Sequence, residues 1–377
     1  MRLRHAKRRG ATLMFALLLM VALVAAAAFS VDIGYIVTVQ TQLQNAADAS
    51  ALAAVAELKQ PYVQYSQPLV SKSAQTTILN NAMSSAIAEA ERVAALNQAG
   101  SASSLTVLDA DVVCGFLDGS NVFHQTPPDS DFPNSVRVTV RRDSQANNPV
   151  QTFFAGALGQ PSASLSALGQ ATLYSNVSSF TDNKSVNGTL LPVAFDIRLW
   201  QQFLQNGSSG GTQVTKGGNG QPQLQIYPDS AGYGGFGLVS IGPPATDVPS
   251  YRTWIDNGPS PSDLSYLISN NLVPVSPSSP QYWAAGPGMK STLVNDFASV
   301  MGQPRLVPLY DGSLPPSGNG YPIVAFAGVT ITQATGDGSN MNISVQPMAV
   351  SDPTALGGSP AGSSTATFSF SPPCLTK

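Results

Sequence analysis

The 22 residues from Gly10 to Val31 carry no charge and are apolar almost throughout. As an α-helix this run is about 33 Å long, enough for a hydrocarbon core of about 30 Å. Beyond it the apolar positions become periodic. Leu43, Ala47, Ala51, Ala54 and Leu58 recur at helical spacing, with no proline before Pro61, so the run is expected to continue into an Ala-rich amphipathic helix. These five are candidate helix-interface residues, toward another helix of the chain or toward a partner. Pro61 and Pro68 then break the pattern. A second helix is predicted over 72–99, where Ala74, Ile78, Ala82, Ala86, Ala90 and Val93 form a stripe and Gly100 is a stop.

From residue 103 the period changes to two. SLTVLDADVVCGFLD and SVRVTVRRD read as strands, and an Ala/Ser-rich strand follows in ASLSALGQATLYSNVS. A polar connector, Ser178 to Asn187, leads to a second region with five short strand patterns: QLQIY, GFGLVSIG, RLVPLY, YPIVAFAGVTIT and NISVQPMAV. Helices are predicted there over 263–271, capped by Ser262 or Asp263, and over 291–301. The predicted class is α+β: a transmembrane helix continuing into an Ala-rich helix, a small α+β domain, then a mostly β, loop-rich domain. The expected divisions are a basic tip (1–9), a span (10–31), Ala-rich helices with the small α+β domain (32–180), the mostly β domain (188–350) and a Gly/Ser/Pro-rich flexible tail (351–377).

Charge sharpens this picture. Only 10% of the 377 residues are charged, against a usual share of about 25%. Five of the 18 basic residues, Arg2, Arg4, Lys7, Arg8 and Arg9, precede the apolar run. By the positive-inside rule they are a topology signal that keeps residues 1–9 cytoplasmic and the bulk outside, as a single-pass protein of the inner membrane. The remaining 13 basic residues face 21 acidic ones, a net of −8, which leaves no basic face for nucleic acid. Tyr35 stands where an interfacial aromatic would anchor the outer end. Asp32 is the first acid of the chain. It marks the membrane boundary or serves as an interhelical partner in an oligomer. A cleaved signal peptide is the rival, with Ala26, Ala27 and Ala28 as its site. Cleavage there would cut a continuous helix, which favours a retained anchor. A prepilin-type leader would place Gly10 at the cleavage point, but the acid expected five residues on is replaced by Phe15.

The run from Arg8-Arg9-Gly10 through Val31-Asp32-Ile33-Gly34-Tyr35 to Gln42-Leu43-Gln44-Asn45-Ala46-Ala47-Asp48 and Ala51-Leu52-Ala53 resembles the N-terminal segment of the TadG-like family of Flp (tight-adherence) pilus-assembly proteins. The following order resembles it too: an alternating strand, Pro149 to Ala155 as Pro-Val-x-x-Phe-Phe-Ala, Gly159, then an Ala/Ser-rich strand. The resemblance implies a single-span inner-membrane protein with a large extracytoplasmic part, and small pilin-like or pilus-assembly proteins as partners. It implies no enzymatic activity. The metal-binding D-x-S-x-S of many relatives is absent; Asp118-Gly119-Ser120 and Asp311-Gly312-Ser313 both break off before its last serine, and Asp337 in TGDGSN reads as an ordinary turn residue in preference to a member of a calcium loop.

Other chemistry is sparse, and no cofactor is expected. Gly232 to Gly237 matches a dinucleotide fingerprint, but a strand-like segment follows it where a helix is required. Gly207 to Gly211 matches a nucleophile elbow inside a Gly/Ser loop. The only histidine outside the tip is His124, in a loop near Asp129 and Asp131, so an extracytoplasmic hydrolase with Ser209 is a remote alternative. Cys114 and Cys374 would form a disulfide in an oxidising compartment, or stay as one buried and one tail thiol. The expected function is a non-enzymatic, membrane-anchored organiser of pilus assembly. The alternative is an envelope glycan binder using Tyr227, Tyr233, Tyr251, Trp254, Tyr266, Tyr282 and Trp283 as platforms.

Overall fold

The computed structural model describes residues 9–125, 132–183, 185–206, 214–227, 235–286, 289–313, 320–336, 341–360 and 367–376. Three helices lead the chain: α1 (Arg9–Ala56), α2 (Lys59–Tyr65) and α3 (Lys72–Ala95). Strand-rich chain follows, as expected. The α1 helix runs 48 residues without interruption, so the apolar run and the periodic stripe are one element. The α3 helix ends at Ala95 rather than near Gly100, because the Asn97 side chain turns back onto the Val93 carbonyl at 2.8 Å. Gly100 has another role. It sits at φ +59°, where a Cβ would come within 2.7 Å of the Tyr35 hydroxyl and 2.8 Å of Val39. Only glycine accepts both that angle and that proximity.

The chain divides into two compact units, each assembled from three segments. The first holds residues 1–53, 87–113 and 137–170. Its core takes Val39, Leu43, Ala47 and Ala51 from α1, Ala90 and Ala94 from α3, and Val138 and Val140 from the strand Ser135–Arg142. That strand neighbours Leu165–Thr172. Arg142 is buried beside them and fully employed: its guanidinium donates to the carbonyls of Ala99 and Asn148. A small hairpin, Val150–Gln151 with Ser162–Ala163, carries the tip 152–161.

The second unit holds residues 54–86, 114–136 and 171–377. Its main sheet has the order Val214–Lys216, Pro222–Tyr227, Asn342–Pro347, Gly320–Thr335, Pro304–Tyr310, Val193–Asp196, Phe236–Leu238, with Gln281–Ala284 also on Gly320–Thr335. All pairs are antiparallel except Pro304–Tyr310 with Val193–Asp196, which is parallel. The long connection a parallel pair requires runs from residue 197 to 303 and holds helices Ile197–Asn206, Val248–Asn257, Pro261–Ser269 and Val294–Ser299 along with further strands of the sheet. Helix Val248–Asn257 is capped by Asp247, and helix Pro261–Ser269 by a Ser260–Asp263 capping box. The cap is therefore Ser260, and the helix begins at Pro261, two residues before the predicted start at 263. Pro261 at the first turn, where no N–H is needed, sets that earlier boundary.

The C-terminal segment is not a loose appendage. Phe368 and Phe370 are fully buried, and Tyr62 meets both rings edge-on at about 6 Å. Asp352, also buried, accepts from the main chain and hydroxyl of both Thr189 and Thr354. The segment's Gly/Ser/Pro-rich composition concealed these anchors, which hold its described residues at Asp352 and Phe368–Phe370 where a flexible tail was expected.

Candidate functional site

The first half of α1 has almost no protein around it. Leu13, Phe15, Leu17, Leu18, Leu19 and Met20 are all more than 60% exposed, and large apolar side chains remain about half-exposed through Val31 and Ile33. This is the one helix, among the described residues, long and apolar enough to cross a membrane. This is not the surface of a core helix: none of the described residues covers it.

Cover begins on one face only. Ala28 is half-buried, Asp32 is 3% exposed, Tyr35 and Ile36 are half-buried, and Val39 and Leu43 are fully buried. These positions are three or four apart and so share one stripe. Asp32 is held by the tip of the small hairpin. Its Oδ1 accepts the Phe153 amide at 2.7 Å, and its Oδ2 accepts those of Phe154 and Ala155 at 3.0 and 2.6 Å. Three charge-assisted bonds satisfy an otherwise costly buried carboxylate. The Tyr35 ring packs edge-on against Phe153, centroids 5.1 Å apart.

Further along, polar side chains of α1 grip the main chain of the same unit. Gln40 and Gln44, one turn apart, donate to the Ser166 and Leu168 carbonyls at 2.8 and 2.9 Å. Gln42 accepts the Gly100 amide at 2.7 Å. Between these contacts Gly169 lies so close that a Cβ would stand 2.4 Å from the Ala47 carbonyl oxygen. The helix is thus laid directly on strand backbone, with glutamine amides serving as side-chain rungs.

Residues 10–57 match the family model described as putative Flp pilus-assembly TadE/G-like, and residues 72–171 match putative Tad-like Flp pilus-assembly. Over residues 10–171 the chain is thus similar to Tad-like Flp pilus-assembly proteins. Neither model extends past residue 171. Comparison with curated proteins and with solved structures gives no match. The seat just described, from Asp32 to Gly169, lies wholly within this Tad-like region.

The other expected site residues fall as follows. Arg2, Arg4, Lys7 and Arg8 lie outside the described residues, and Arg9 is the first residue of α1. Leu43, Ala47 and Ala51 are fully buried in the first unit, Ala54 and Leu58 in the second. The face they make is therefore occupied within the chain. Cys114 and Cys374 are free thiols. They lie in the same sheet with two strands between theirs, about 14 Å at the usual strand spacing, beyond the reach of a disulfide. Burial pushes the Cys114 thiol up to about 11, which keeps it protonated and inert.

His124 lies in the hairpin of Val112–Leu117 with Phe123–His124, where its Nε2 meets Asp118 at 2.9 Å. That bond, with amides of Val122 and Ser120, holds the Asp118 carboxyl below its usual range despite some opposing burial. The pair is exposed and closes a turn. Its expected neighbours for catalysis, Asp129, Asp131 and Ser209, lie outside the described residues, as do Asp337 and Gly232 to Gly234. The described end of the Gly-rich fingerprint enters strand Phe236–Leu238, not a helix. Tyr251, Trp254 and Trp283 are core residues rather than surface platforms; the Trp283 indole donates to the Leu272 carbonyl.

Sequence reasoning missed a groove of about 930 Å³ in the second unit. Gln60, Gln64 and Gln67 from α2 and just beyond line one part of it, and Asn219, Gln221 and Gln346 another. The Asn219 and Gln346 amides pair reciprocally at 3.0 Å. No aromatic ring lines it among the described residues, and Lys216 is its one charged side chain there. The repeated glutamines of KQPYVQYSQP were the available signal.

Proposed function

We propose that this chain is a non-enzymatic, single-pass scaffold of a Flp-type pilus assembly, anchored in the inner membrane with residues 1–9 cytoplasmic. The observation that carries this is the two-part α1 helix: bare and apolar over 13–31, then built into a compact unit from Val39 onward. A rigid continuous helix transmits position from the bilayer to the folded body, which is what an organising component requires. Because the Leu43–Leu58 stripe is occupied internally, partner helices are received on the bare surface of the span, where small residues such as Ala22 and Ala25 to Ala27 let backbones approach closely.

The test is photo-crosslinking in intact cells that carry the Flp system, with the probe at Val21 or Leu23. Adducts with small pilin-like membrane proteins are expected. Adducts with lipid alone at every span position would contradict the scaffold reading.

The amide-lined groove supports a second reading, an envelope glycan bound through hydroxyl–amide hydrogen bonds. It fits a neutral polar ligand, since one cation is the groove's only described charge.

A further inference from the structure

The hairpin tip held by Asp32 is unusually apolar for a loop. Phe153, Phe154 and Leu158 are 65%, 50% and 74% exposed, and the chain has no charged residue between Asp143 and Asp182. The turn is built to display them. Thr152 donates to the Gln160 and Pro161 side of the loop closure through its hydroxyl and amide, and Gly159 ends the short helix Ala155–Leu158 at φ +85°. Exposed aromatic and aliphatic side chains gathered on one loop tip are the kind of apolar patch that marks an interaction surface.

The tip's position on α1 identifies the partner. The tip is fixed at Asp32, the residue that immediately follows the uncharged run. Helix side chains lean toward the N-terminus, so the Asp32 carboxylate, and the Phe153–Ala155 backbone on it, lie on the span side of the Asp32 Cα. Cover of that helix face already begins at Ala28, one turn or about 6 Å inside the run. Around the same level Phe29, Ile33 and Val37 remain about half-exposed on the helix itself. The only charge there, Asp32, is buried and bonded.

We propose that the 152–160 tip is a membrane wedge. It inserts Phe153, Phe154 and Leu158 into the headgroup–acyl boundary of the leaflet nearer the folded body, beside the span. The partner is the lipid surface itself. The wedge rests on the anchor reading and adds a second point of attachment, which fixes the tilt and rotation of the body against the bilayer. A single helix leaves both free, whereas aromatic and aliphatic side chains at the interface settle them. Asp32 is the positioning residue: it ties the wedge to a set height on the helix.

The test uses the full chain reconstituted in phosphatidylethanolamine–phosphatidylglycerol vesicles that contain lipid spin-labelled near the headgroup or near the chain end. Tryptophan is introduced by Leu158→Trp, and in a separate protein by Phe15→Trp. Native Trp200, Trp254 and Trp283 are buried in the second unit and supply a background to subtract. The expected result is loss of the Leu158→Trp emission with the shallow label and a smaller loss with the deep one, while Phe15→Trp is quenched by the deep label. Adding Asp32→Ala should abolish quenching at Leu158→Trp and leave it at Phe15→Trp. Quenching at Phe15→Trp alone overturns the wedge and keeps the anchor. Quenching at neither overturns the anchor and the wedge together. A blue-shifted, unquenched Leu158→Trp emission means that protein covers the tip, and this also overturns the wedge. Quenching at Leu158→Trp that survives Asp32→Ala overturns the positioning role.

Discussion

The two halves of α1 are similar in composition and opposite in circumstance. From Leu13 to Val31 the helix is apolar on every face and uncovered. From Val39 to Ala51 it is apolar on one stripe, and that stripe is fully buried. The difference lies in what occupies the remaining faces. In the second half they carry Gln40, Gln42 and Gln44, and each of these bonds the main chain of the folded unit. In the first half they carry more leucine and alanine, and the one side-chain bond there among the described residues, from the Ser30 hydroxyl to the Ala26 carbonyl, stays within the helix itself. A helix apolar all round needs a solvent that is apolar all round, whereas a striped one needs a single covering face. One continuous helix thus belongs to two environments, and Asp32 stands at the change.

The largest break in that comparison is a matched pair of truncations. Leu43→Ala, at a fully buried position, should cost about 2–5 kcal/mol of body stability. Leu19→Ala, at a position 62% exposed, should stay within about 0.5 kcal/mol. Denaturant dependence of amide hydrogen exchange in the first unit, over 39–53 and 137–143, reads both in detergent; equal effects would erase the distinction between the halves. A smaller effect comes from Gly169→Ala, whose new methyl meets helix backbone at Ala47 rather than a yielding side chain. Overpacking of that kind should cost about 1–3 kcal/mol, with faster amide exchange along 165–170. Gly119→Ala, where nothing lies within 4 Å, is the control expected to leave both unchanged.

How much of this was readable beforehand depends on distance along the chain. The apolar helix, the helical spacing from Leu43 to Ala54 and the alternation of SVRVTVRRD are local patterns, and each is the helix or strand that its period predicts. The seat was not local. Asp32 meets residues 121 to 123 positions away, and its first-acid status pointed to the boundary but not to the amides that fill its valences. Gly169 reads as one more small residue in an Ala/Ser strand; only the approach of α1 reveals its need for no side chain. Phe368 and Phe370 were masked by the composition around them, although two phenylalanines flanking one serine are a burial signal. The aromatics of the second region misled in the opposite direction. They lie near Gly-rich loops in sequence, yet Tyr251, Trp254 and Trp283 fill a core.

The account's central claim is that the bare half of α1 stays on the protein and crosses the membrane. Mass spectrometry of the N-terminal peptide from protein extracted from membranes tests it most directly. The account predicts a mature chain that retains residues 10–31 in continuity with Asp32. A chain beginning at Phe29 would leave Asp32 and its wedge on a body without a span, and would contradict it.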